Sequence, residues 1–228
     1  MPSSVFAFAR ATRNPDGGRR AAACLAAIAL TIAPVLAQRT AAPADLPPER
    51  IFAALGLQEG MAVGEIGAGS GELSVAVAKL VGAKGKVYPS ELGDERVRAL
   101  EKTIKSSGLE YLTVVTGDAN ETKFPDACCD AIFMRNVYHH FADPAAMNAS
   151  IVRALKPGAR LVVVDFTPPK EAERPRDRGE DGTHGVSPES VAAELKAAGL
   201  TIMDTIAGSD RWFMVVATKP QAAPDPAR

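Results

Sequence analysis

Residues 61–72 read Met61-Ala62-Val63-Gly64-Glu65-Ile66-Gly67-Ala68-Gly69-Ser70-Gly71-Glu72. Met61 to Ile66 predicts a short strand. Gly67, Gly69 and Gly71 fall where that strand must turn sharply into a helix. Glycine has no Cβ, so it reaches positive φ and lets a ligand come close to the backbone. The free N–H groups at the start of the next helix suit a carboxylate or another polar group. The spacing is G-x-G-x-G. The dinucleotide fingerprint G-x-G-x-x-G would want glycine or alanine at position 72, where Glu72 stands, which disfavours a nicotinamide-dependent oxidoreductase.

Working outward, short apolar runs alternate with amphipathic stretches, as βαβ units require. A short helix opens at Pro47-Pro48-Glu49 and ends before Gly56. After the first strand, a helix is expected over 71–81, a strand over 86–91, a helix over 94–106 and a strand over 111–116. A fourth strand covers 130–134 and a fifth covers 160–166. Asp143 as N-cap and Pro144 at the first helical position start the helix between them. Ser187-Pro188 caps a last helix that Gly199 ends. Strands at 201–206 and 211–218 then flank Ala207-Gly208-Ser209-Asp210, a hairpin turn. The expected fold is α/β: a Rossmann-like doubly wound sheet of seven strands, mostly parallel, with an antiparallel terminal β-hairpin. A purely parallel dinucleotide fold would not end in a hairpin.

Three carboxylates gather at one edge of that sheet. Glu65 lies on the first strand. Glu91 ends the second strand, where a carboxylate reaches a ribose diol. Asp118, after the third strand, can accept a hydrogen bond from an adenine amino group. Any one of them alone reads as a loop acid or a helix cap; together they read as a ligand site.

These residues carry a family resemblance. The stretch 64–71 (GEIGAGSG) resembles motif I of class I S-adenosylmethionine-dependent methyltransferases. The stretch 117–166 resembles their middle region, in the small-molecule branch that includes quinone-biosynthesis C-methyltransferases. The resemblance spans about residues 46–218. It implies S-adenosylmethionine as cofactor and a small-molecule methyl acceptor as partner. Gly67, Ala68, Gly69 and Gly71 would line the methionine part, with Glu65 beside them. Glu91 would bind the ribose, Asp118 and Ala119 would flank the adenine, and Asn136 would lie near the reacting methyl. A module that binds the cofactor without catalysis is the alternative.

A good methyl donor leaves the enzyme mainly to position the nucleophile. Oxygen and carbon nucleophiles also want a base, and imidazole titrates in the right range. Tyr138, His139 and His140, directly after the fourth strand, are therefore the candidate catalytic residues. The polar stretch 167–186, which holds His184, is either a substrate-recognition element or a surface loop.

Composition narrows the field further. The 228 residues suffice for one domain with a real core. Residues 1–37 carry Arg10, Arg13, Arg19 and Arg20 against Asp16, so the remainder is net acidic although the whole chain is only −1. An acidic domain argues against nucleic acid as partner. Of the three cysteines, Cys128 and Cys129 are adjacent and read as a pair of thiols, and no metal site is expected. Residues 21–37 (AAACLAAIALTIAPVLA) follow a basic flank and end in an A-x-A-like site. They read as a signal peptide or an N-terminal membrane anchor, hence an exported or periplasmic protein, or a cytoplasmic one if the start codon is misassigned. Residues 38–45 form a linker, 46–218 the domain and 219–228 a disordered tail.

Overall fold

A computed structural model describes residues 46–168 and 185–221. The export segment, the linker, most of the polar insert with His184, and the last seven residues lie outside the described residues.

The elements follow the expected alternation: α1 (Pro48–Leu55), β1 (Ala62–Ile66), α2 (Glu72–Val81), β2 (Lys86–Glu91), α3 (Asp94–Ser107), β3 (Val115–Thr116) and β4 (Cys129–Arg135). A 3-10 turn at Tyr138–His140 leads to α4 (Pro144–Ala154), β5 (Leu155–Phe166), α5 (Pro188–Ala197), β6 (Thr201–Ala207) and β7 (Trp212–Thr218). One seven-stranded sheet has the order β3-β2-β1-β4-β5-β7-β6. The pairs from β3 to β5 are parallel, whereas β7 runs antiparallel to both β5 and β6. The hairpin thus folds back so that β7, the last strand in sequence, lies inside the sheet.

The central strands are covered on both faces, so their residues are apolar nearly throughout. Alternation then sorts them. Ile132, Met134, Leu161 and Val163 join α4 and α5 on one face. Ala131, Phe133, Val162 and Val164 join α1, α2 and α3 on the other. The helix starts follow from capping: the Asp143 carboxylate accepts from the N–H of Ala146 at 3.0 Å, and the Ser187 hydroxyl accepts from the N–H of Ser190 at 3.1 Å.

Some boundaries differ from expectation. β3 keeps only two residues, with Leu112 making an isolated bridge to Val87. β5 begins at Leu155, before the Lys156-Pro157-Gly158 break. A register shift between Cys129 and Ala131 accommodates the extra residues, and Lys156 pairs with Asp130 at 2.8 Å across it. Lys219, placed in the expected tail, is anchored, its ammonium donating to the carbonyls of Val152 and Leu155 at 2.7 Å each. Cys128 and Cys129 form a disulfide between neighbours, correcting the expectation of two thiols. It lies where the chain leaves extended geometry, after Ala127 at φ 47° and beside the register shift.

Candidate cofactor and acceptor site

The carboxyl ends of β1, β2, β3 and β4 enclose a cavity of about 680 Å³. β1 delivers the glycine loop. Gly67 sits at φ 69°, and a Cβ there would collide with the Val137 side chain. Gly69 sits at φ 53°, and a Cβ there would meet nothing within 4 Å. Gly67 is therefore small for packing, and Gly69 keeps open space beside the cavity. The loop is tied down by the Ala68 N–H donating to the Ser90 carbonyl at 2.8 Å.

Glu91 ends β2 and is held from several sides. Its carboxylate accepts from the Gly69 N–H at 2.9 Å and from its neighbour Leu92 N–H at 3.2 Å. Arg96 of α3 approaches at 3.6 Å. Asp118 follows β3 in a tight turn, its N–H donating to the Glu121 carbonyl at 2.8 Å. Asn136 takes φ 61° after β4, a left-handed conformation that asparagine tolerates. Its own N–H donates to the Val164 carbonyl at 2.8 Å.

Of the sequence-predicted residues, Gly67, Gly69, Glu91, Asp118, Ala119, Asn136 and His140 line the cavity. Others do not. Gly71 caps α2, and Ala68 is buried beneath the loop. Glu65 is buried on β1, where it accepts a hydrogen bond from the Ser74 hydroxyl. Burial raises its pKa from 4.5 to about 8, the Ser74 bonds working against that rise. A neutral Glu65 supports the loop from below and does not touch the cavity.

The three catalytic candidates separate in the same way. Tyr138 is fully buried. Its hydroxyl donates to Glu194 of α5 at 2.8 Å and accepts from the Asn148 amide of α4 at 2.7 Å. It ties helices to the sheet and does not line the cavity. His140 is exposed on the cavity wall. Burial of part of its ring lowers its pKa below 6.5, and neighbouring His139 adds to the effect. His139 lies one ring behind, centroids 4.0 Å apart. Its Nδ1 makes a 2.8 Å hydrogen bond with the Asp165 carboxylate, and both side chains are buried. Asp165 also accepts from the N–H groups of His139 and Phe166, at 3.1 and 2.8 Å. Sequence reading missed Asp165, and also Ser90, Arg96, Thr122, Phe141 and Met147 on the cavity wall. Only the β4–β5 pairing brings Asp165 beside His139.

With this geometry in hand, comparison with known proteins gives the class. Residues 64–163 match the family described as "Methyltransferase domain". The ubiquinone/menaquinone biosynthesis C-methyltransferase UbiE of Marinomonas sp. is 30% identical over 116 residues, covering 50% of this chain and 46% of that protein. The protein of the same name from Shewanella piezotolerans is 29% identical over the same length. The chain thus spans about half the length of the curated relatives it matches. A SAM-dependent methyltransferase from Aquifex aeolicus superposes with a TM-score of 0.65 at 28% identity, covering 75% of this chain and 88% of that one. The [4+2]-cyclase SpnF has the same fold at 17% identity, with a TM-score of 0.66 and coverages of 77% and 80%. These likenesses support a class I S-adenosylmethionine-dependent methyltransferase domain. S-adenosylmethionine is the cofactor of that class.

The residues present fit that cofactor. Open space at Gly69 leaves room for the methionine part. Glu91 stands where a ribose diol would donate, and the Asp118–Ala119 turn stands where an adenine would lie.

Proposed function

We propose that the chain methylates an oxygen or carbon atom of a small-molecule acceptor, with His140 as proton acceptor and His139 and Asp165 as positioning residues. The carrying observation is the buried His139–Asp165 hydrogen bond one ring behind the cavity wall. When bound, S-adenosylmethionine supplies a sulfonium methyl group whose carbon passes to the acceptor while the C–S electron pair stays on sulfur. His140 takes the proton the acceptor loses. Its lowered pKa keeps it neutral, and so able to accept, at neutral pH. The Asp165 carboxylate fixes the His139 tautomer and ring plane, and the His139 ring backs His140. That the curated relatives are named C-methyltransferases supports a carbon acceptor.

The test is release of S-adenosylhomocysteine by the full chain over a panel of phenols, quinols and amines. His140→Ala should cut kcat by ~10²-fold or more and leave cofactor affinity unchanged. The wild-type kcat/KM should rise with pH through a value below 6.5 and then level, since protonated His140 cannot act as base. Asp165→Asn should move that limb, which a merely structural role would not do. An unchanged rate in His140→Ala removes it from the chemistry. Cofactor binding without transfer to any acceptor would leave a binding module instead.

The basic-flanked apolar run at 21–37 supports export as the location. A mature chain beginning at Gln38 in the cell envelope is the expected finding, and an intact chain in the cytosol overturns it.

A further inference from the structure

One stretch of chain joins the cavity to the opposite end of the sheet. It runs from Gly117 to Cys128. Its first half lines the cavity with Gly117, Asp118, Ala119, Glu121 and Thr122. Its second half is fastened down. Phe124 is buried against Gly64 of β1, where a Cβ would come within 2.6 Å of the ring. Two residues of α4 hold the rest. The Ser150 hydroxyl accepts from the Thr122 N–H and shares a hydrogen bond with the Thr122 hydroxyl, at 3.0 Å each. Arg153 pairs with Glu121 at 2.6 Å and with Asp126 at 3.2 Å, and its carbonyl accepts from the Ala127 N–H at 2.9 Å.

The stretch ends at the Cys128–Cys129 disulfide. Neighbours in an extended strand point to opposite faces. The bond forbids this. Cys129 is buried in the core cluster on the α4 and α5 side of the sheet, and the half-buried Cys128 packs against the same cluster. β4 therefore begins at Cys129, with Ala127 at φ 47° just before it and the register shift just after. Opening the bond frees Cys128 to turn to the other face, which adds one residue, ~3.3 Å, of extended chain. That length is drawn from 117–127, and the tethers of Asp126 and Ala127 to Arg153 are the nearest to give.

We propose that Cys128 and Cys129 form a redox switch: the closed disulfide holds the 117–128 strap against α4, and reduction to two thiols by an external dithiol slackens the strap and weakens cofactor binding. This rests on the methyltransferase reading, which gives the cavity to S-adenosylmethionine. A thiolate of the reductant attacks the sulfur of half-buried Cys128, the S–S bond breaks, and Cys129 leaves with the electron pair and takes a proton. The reductant's second thiol then displaces Cys128 from the mixed disulfide. The chain gains two electrons and two protons, and the external dithiol is oxidised to a disulfide. Export, as proposed above, places the chain where disulfides persist and makes the closed form the resting one.

The full chain with Cys24→Ser, which leaves only this pair of its three cysteines, would be equilibrated over ratios of reduced to oxidised dithiothreitol. N-ethylmaleimide labelling in denaturant, read by mass spectrometry, should give no adduct at the oxidised end and one on each of Cys128 and Cys129 at the reduced end. S-adenosylhomocysteine should bind the reduced chain about 5-fold or more weakly by titration calorimetry. Amides of 119–128 should exchange with deuterium faster in the reduced chain, while those of β5 keep their rates. Cys128→Ser should bind weakly in either buffer. Labelling that does not change with the ratio, equal affinity in the two states, or a Cys128→Ser chain that binds as tightly as the oxidised one overturns the inference. The two readings fail separately: no S-adenosylhomocysteine binding in either state would strike the methyltransferase reading, and the exchange rates of 119–128 would still decide the switch.

Discussion

Replacing Glu65 with glutamine should stabilise the protein above neutral pH and leave the cofactor site intact. Glu65 is buried on β1, and its pKa is raised from 4.5 to about 8 by desolvation, with a smaller contribution from the charge of Glu91. The unfolded chain releases this proton above about 4.5, and the folded chain keeps it until about 8. Between those values the unfolded state binds fewer protons, so stability falls as pH rises and levels off above the folded value. The gap, at ~1.4 kcal/mol per pH unit, is on the order of 5 kcal/mol in total. Glutamine keeps the carbonyl oxygen that accepts from the Ser74 hydroxyl but cannot ionise. Urea unfolding of the full chain by circular dichroism, from about pH 5 to pH 9, should show a declining wild-type stability and a much flatter Glu65→Gln profile. The two proteins should nearly coincide at the acid end, with the variant ahead at the alkaline end. A variant that keeps the wild-type slope would refute the assignment of that slope to Glu65. Calorimetric titration with S-adenosylhomocysteine on the same samples supplies a second check. Affinity should be unchanged, because Glu65 does not line the cavity, and a tenfold loss would mean that it touches the cofactor after all.

The loop glycines should separate packing from ligand space. Gly67→Ala should lower stability by ~2 kcal/mol, through collision with Val137 and a strained φ, visible as a fall in Tm. Gly69→Ala should cost ~1 kcal/mol of strain yet weaken S-adenosylhomocysteine more than Gly67→Ala does, because its Cβ enters open space beside the cavity; equal losses of affinity would refute the distinction. Asp118→Ala should weaken S-adenosylhomocysteine ~10-fold by titration calorimetry without moving Tm, and unchanged affinity would remove it from the adenine site. Ser187→Ala removes the cap of α5 and should cost ~1 kcal/mol in urea unfolding while leaving cofactor affinity alone.

What could be read from sequence was local. Glycines at a strand-to-helix turn, caps such as Asp143 and Ser187, and doubly buried runs such as Val162 to Val164 are decided by neighbouring residues, so spacing reveals them. Glu91 and Asp118 were legible because parallel strands end at one edge, and a carboxylate at a strand end must lie there. Contacts set by register were hidden. Asp165 lies 26 residues from His139, and nothing in either stretch announces the pair. Tyr138 read as a site residue because it stands in a run whose Val137 and His140 line the cavity, but the 3-10 turn sends its hydroxyl toward α4 and α5. Glu65 read as a ligand because the motif names it, whereas strand alternation and Ser74 place it under the loop.

The antiparallel β7 also decides which residues reach the sheet edge beside the cavity. Parallel strands bring only their carboxyl ends to that edge, where those of β1 to β3 set Gly67, Glu91 and Asp118 around the cavity. A parallel β7 would have brought Ala217 and Thr218 there, a small residue and a hydroxyl. Reversal brings the strand's beginning instead, so Arg211 and Trp212 arrive opposite Phe166. The hairpin that first separated this fold from a dinucleotide-binding one is therefore also what carries an aromatic ring and a cation to the end of β5.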